Sequence, residues 1–177
     1  MTTLRSTRFQ PGRPQAAEHS EFHARYIDMV PEADLLSAMH AQTELTRAAF
    51  LAHAEHPGHT YAPGKWTVLQ MLGHMTDTER VFGSRLLFFA RRDPATLPGI
   101  EQDDWMAASD FSSYTLPELL SEFASVRAGH LSLLSHLRPE AWEHRGTASG
   151  NGFTVRALAY IMLGHERAHL EILKERY

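Results

Sequence analysis

Apolar residues recur at helical spacing in four separate stretches of this chain. From about residue 32 to residue 56, Leu35, Leu36, Met39, Leu45, Phe50 and Leu51 supply one face, and Pro57-Gly58 ends it. From Thr67 to about Arg92, Val68, Leu72, Met75, Phe82, Leu86 and Phe89 form a stripe, with Glu79 intruding at a core position. Met71, His74, Thr78, Val81 and Phe88 run alongside it, so the buried arc is broad, as expected for a helix packed on two neighbours. The third stripe is Leu119, Phe123, Val126, His130, Leu133 and Leu137, ended by Pro139. The fourth is Val155, Leu158, Met162, His165, His169 and Ile172. Thr67-x-x-Gln70 and Thr115-x-x-Glu118 read as capping boxes, and Thr154 as the cap of the last helix.

The connections complete the architecture. Residues 93–114 hold Pro94, Pro98, Gly99 and a cluster of acids, anchored by Trp105 and Phe111, and read as an ordered crossover long enough to span a bundle. Ala141-Trp142 reads as one short turn and 146–152 as a loop. Residues 1–30 lack a clear period and contain Pro11, Gly12 and Pro14, which predicts an extended arm. No stretch reads as a strand of useful length, and there is no internal repeat. The expectation is an all-α protein: a four-helix bundle over residues 31–177, with one long crossover between its second and third helices and an N-terminal arm over residues 1–30.

Composition narrows the function classes. At 177 residues the chain is long enough for one domain with a sizeable core. The net charge of −4, with no run of Lys or Arg, argues against nucleic acid as a partner. The absence of Cys excludes disulfides, thiolate metal sites and a cysteine nucleophile. No apolar run approaches a membrane span, and the first 14 residues carry no secretory h-region, so no membrane partner and a cytoplasmic location are expected. Broad apolar arcs are compatible with a homodimer.

Histidine is over-represented, with 12 copies, and two of them carry the chemistry. Gly164-His165-Glu166-Arg167-Ala168-His169 contains His-Glu-x-x-His within the last helix. Two His four apart share one helix face and can clamp a metal ion. Both fall on the buried stripe, where an imidazole needs a hydrogen-bond partner or a metal. A zinc-protease reading fails: only eight residues follow His169, and the extended motif would need Gly and His where Ile172 and Glu175 stand. A third ligand must come from another helix, and His74 and His130 both face a buried stripe. His19 and His23, in the arm, read as surface residues.

Tyr61-Ala-Pro-Gly-Lys-Trp-Thr, followed by Leu72-Gly-His74-Met-Thr-Asp77-Thr-Glu79-Arg80-Val-Phe, resembles the second-helix signature of the DinB-like superfamily. Phe123-Ala-Ser-Val-Arg127 resembles its third helix, and Phe153-Thr-Val-Arg-Ala-Leu-Ala leading to Gly164-His165-Glu-Arg-Ala-His169 its last. That family includes YfiT-like proteins and bacillithiol transferases. The resemblance, over about residues 35–177, implies a four-helix bundle with a three-histidine divalent metal site at His74, His165 and His169. It implies a metal-dependent enzyme acting on a small molecule, by transfer of a low-molecular-weight thiol to an electrophile or by hydrolysis. Zinc, nickel and iron all suit nitrogen ligands, zinc and nickel being the first expectations.

Two acids are candidate catalytic groups. Asp77, three residues after His74, could orient an imidazole or act as a base, and Glu166 stands where zinc proteases keep their base. Glu79 is expected to pair with Arg85 or Arg127, and His130 to be a core or site-wall residue. The competing expectation is a non-enzymatic metal-binding, stress-response or interaction protein, in which a fourth protein ligand such as His130 would close the coordination sphere.

Overall fold

Each of the four stripes folds into a helix. The computed structural model describes residues 9–177. Its long helices are α2 (Leu35–Leu51), α3 (Val68–Ala90), α5 (Leu116–Ser135) and α6 (Val155–Arg176), preceded by α1 (Glu21–Asp28) and interrupted by α4 (Gln102–Ala108). The caps work as their sequences predict. Thr67 and Thr115 each accept a hydrogen bond from the third helical N–H, which Gln70 and Glu118 reciprocate, and Thr154 accepts from the Ala157 N–H.

Two apolar clusters fill the bundle. One joins the start of α2 and of α6 to the ends of α3 and α5 through Leu35, Leu158, Phe89 and Leu134. The other joins the opposite ends through Phe50, Leu173, Leu72 and Leu119. Between them each long helix contributes a buried polar residue. Arg127 of α5, fully buried, donates from Nε and Nη2 to the two oxygens of Glu79 on α3, at 2.6 and 2.9 Å. Its Nη2 also reaches Glu166 of α6 at 2.8 Å, and Thr46 of α2 donates to the other Glu166 oxygen at 2.5 Å. Of the two arginines expected for Glu79, Arg127 is the partner. His130 joins this layer through Nδ1, 3.1 Å from Glu79.

Three expectations are corrected. Part of the N-terminal arm is helical: after a 3-10 turn at Ala16–Glu18, α1 packs on α6, too short an element for its one buried residue, Ile27, to show a period. The first eight residues of the expected arm lie outside the described residues. A hairpin stands where no strand was expected, β1 (Arg145–Ala148) pairing antiparallel with β2 (Asn151–Thr154). Its two-residue turn places Ser149 and Gly150 at φ 52° and 73°, the left-handed pair of a tight hairpin. Finally, α2 ends at Leu51, five residues before the expected limit, so His53, His56 and His59 stand in the following turns.

The crossover between α3 and α5 is ordered, as expected. It contains α4 and a 3-10 turn at Phe111–Ser113, and the Leu97 N–H and C=O bond the hairpin at Thr147 and Ser149. No helix among the described residues is long and apolar enough to cross a membrane.

Candidate metal centre

Helix geometry brings the HExxH pair and His74 together. His165 and His169 are one turn apart on α6, and His74 faces them from the second turn of α3. The His165 Nε2 lies 3.3 Å from His74 Nε2 and 3.1 Å from His169 Nε2. The three ligand atoms all lie within 4.8 Å of one another, the one such group of three among the described residues.

Burial keeps these imidazoles neutral. It pushes His74 down to about 4 and His169 to about 3, and it holds His165 well below its ordinary value, with the two neighbouring histidines adding to the effect. Three neutral nitrogens converging on one point cannot all satisfy one another, since each neutral ring offers one donor. The His169 Nδ1 is buried without a hydrogen-bond partner among the described residues. A divalent ion would satisfy the three lone pairs together. Tetrahedral ligands at about 2.0–2.1 Å from zinc stand about 3.3 Å apart, so the nitrogen set and its spacing fit such an ion. The donor chemistry suits zinc, nickel or iron equally.

Aromatic rings surround the cluster. The Trp66 ring centroid lies 4.7 Å from that of His74 and 6.5 Å from that of His169, while Tyr26 and Phe82 stand 5.6 and 6.1 Å from His165. Two clefts meet there. One of about 710 Å³ is lined by His74 and His165 together with α1, α3 and the start of α4. The other, of about 360 Å³, is lined by His169, Trp66, Lys65, Tyr61 and Tyr177. Gln102 and Asp103 of α4 border both.

The chain belongs to a known superfamily. The family model of the DinB superfamily matches residues 38–173. A similar solved structure is YfiT from Bacillus subtilis, described as a probable metal-dependent hydrolase with an unusual four-helix bundle topology. It is 15% identical, with a TM-score of 0.65 over 92% of this chain and 89% of that one. A search of curated proteins found no match.

The other sequence candidates stand apart from the three imidazoles. Glu166 is turned into the buried polar layer, where Thr46 and Arg127 occupy both its oxygens. Asp77 accepts from Arg80 at 3.2 Å and makes no hydrogen bond to His74. Burial raises its carboxyl above the ordinary value. His130 is held by Glu79 and points its Nε2 end at Gly83 of α3, where there is no side chain in its way. Conversely, His23, expected at the surface, lines the larger cleft beside Arg25 and Arg85. Its signal was hidden because an eight-residue helix carries too few turns to reveal which face is buried.

Proposed function

We propose that the protein is a metal-dependent enzyme that hydrolyses a small molecule, with one divalent ion held by His74, His165 and His169. The observation that carries this reading is the convergence of three neutral Nε2 atoms beside a cleft of about 710 Å³. When bound, such an ion supplies Lewis acidity, polarising a carbonyl or phosphoryl group and acidifying water. The protein's own part is to orient and to dry the site. The rings of Trp66, Tyr26 and Phe82 wall the imidazoles, and Gly164 lets the α1 backbone close over α6. Three protein ligands would leave a position open on such an ion, as catalytic centres do. Of the carboxylates near the cluster, Asp103 borders both clefts, while Asp77, one turn from His74 and raised by burial, borders neither and would need to leave Arg80 to serve as a base.

A second reading, transfer of a low-molecular-weight thiol, is favoured by the meeting of two clefts at the cluster, which gives two reactants separate approaches. A closed, non-enzymatic site finds less support, because His130 is engaged by Glu79.

The test starts with metal content by mass spectrometry of untagged protein, His74→Ala, and the His165→Ala/His169→Ala pair. About one equivalent of divalent ion is expected, lost in both variants. No metal after incubation with zinc or nickel overturns the reading. Turnover in ¹⁸O-labelled water then separates the reactions: label in the product marks hydrolysis, and stoichiometric thiol loss without label marks transfer.

A further inference from the structure

Arg85 is the charged residue of the larger cleft that the chain itself does not explain. It is buried, 7% exposed, yet no carboxylate among the described residues lies within ion-pair distance of it. Its Nη2 donates to the Pro98 carbonyl and to Ser149 Oγ, both at 2.9 Å. Of the five N–H groups of a guanidinium, the three on Nε and Nη1 have no hydrogen-bond partner in the described chain; these nitrogens are not enclosed and open to the cleft. Other arginines of this protein are treated differently: the fully buried Arg127 has two carboxylates, and even the half-buried Arg156 has Glu18. Burying a guanidinium without a counter-charge is costly, and an anion bound in the cleft would supply the missing charge.

Its placement relates it to the histidine cluster. His74 and Arg85 are eleven residues apart on α3, three turns and within about 20° of the same face, with their Cα atoms about 16 Å apart. Thr78 and Phe82 lie between them on that face and also line the cleft. Thr78 Oγ1 is buried without a hydrogen-bond partner among the described residues. One stripe of one rigid helix thus presents a candidate metal ligand, a free hydroxyl, an aromatic ring and a cation that has this ring, its centroid 5.8 Å from Cζ, but no carboxylate beside it. Glu101, Asp103 and Asp104 border the same cleft and are exposed; Asp103 acts electrostatically on His74 at the cluster end, and none of the three is paired with Arg85.

We infer that the cleft takes an elongated small molecule with an anionic end, a carboxylate or a phosphate, held by Arg85 while its reacting group lies at the histidine cluster. This rests on the proposed metal centre and adds the substrate class. Arg85 is a specificity residue here, engaging the end of the substrate remote from the reaction. Fixed through Nη2 by Pro98 and Ser149, its fork is pre-oriented, which an anion rewards with charge-assisted hydrogen bonds.

The test uses zinc-loaded full-length protein and isothermal titration calorimetry. The probes are acetohydroxamate, which grips the metal alone, and a series of dicarboxylic acid monohydroxamates of graded chain length, each paired with its neutral tail amide. At the best chain length, the carboxylate is expected to bind about tenfold tighter than its amide. In Arg85→Gln that ratio should fall to about one, with partial recovery in Arg85→Lys and acetohydroxamate affinity unchanged throughout. Equal affinity of carboxylate and amide for the wild-type protein at every length, with acetohydroxamate bound, overturns the anion site and leaves the metal centre standing. So does a preference lost in Arg25→Gln and kept in Arg85→Gln. Failure of acetohydroxamate to bind the wild type overturns the metal centre itself and the inference built on it. The wild-type comparison decides even if Arg85→Gln fails to fold.

Discussion

At Gly164 an added Cβ would meet the Tyr26 carbonyl oxygen at 1.9 Å, a backbone atom that no rotamer change can move. Gly164→Ala is therefore expected to cost about 1–3 kcal/mol despite the gain of about 1 kcal/mol in helix propensity. Urea unfolding checks this, and a stabilised variant would show that α1 does not dock as described. The glycine stands beside His165, and in the sequence it was a letter within a motif, because only the tertiary partner gives it a role. The same limit applies to Arg85 and His23. Their chemistry depends on which wall of the cleft they reach, and spacing along one helix does not report that. His165 and His169 were legible because the stripe that carries them is long and regular. His74 was one of two candidates by periodicity, and resemblance to a family, not spacing, favoured it over His130.

Among elements, the long helices were legible from their stripes and caps, while α1 and the hairpin were not. Four-residue strands and an eight-residue helix bury too few side chains to set up a period. The four helices that were legible are tied by one polar knot, Thr46, Glu79, Arg127 and Glu166, one residue from each. Arg127 outweighs burial at Glu79 and lowers its pKa, whereas at Glu166 burial prevails and raises it. Arg127→Ala strands two buried carboxylates and is expected to destabilise the fold by about 3–5 kcal/mol. Replacing all three charged members by apolar residues of similar volume should cost far less, because no charge is then left unpaired. Denaturant midpoints of the two variants make the comparison, and similar losses in both would mean that the knot contributes shape rather than charge pairing.

For the protein as a unit, the depressed histidines set an acid sensitivity. His23, His74 and His169 fall from the ordinary 6.5 to about 4, 4 and 3, mainly through burial. Below pH 6.5 the unfolded chain takes up protons that the folded chain refuses, so stability is complete above that pH and declines as pH falls toward 4. Glu18 acts later. Burial would raise its pKa, but Arg156, the Gln15 N–H and Thr154 lower it to about 2, so its contribution is full above 4.5 and is lost between there and 2. Unfolding of metal-free protein in urea, repeated from pH 8 to pH 4, should show the midpoint dropping below pH 6.5. A flat profile would mean that these imidazoles are not buried as described. The two sides of the larger cleft have different origins in the chain. His74 and His165 lie within the span matched by the superfamily, residues 38–173, whereas Phe22, His23, Arg25 and Tyr26 precede it on α1. A substitution at Phe22 or His23 reshapes what the cleft admits and leaves both helices that carry the three imidazoles untouched. The part of selectivity that α1 sets can thus drift independently of reactivity, one chain segment acting as an exchangeable mould over a fixed anvil that carries Arg85 as well as the imidazoles.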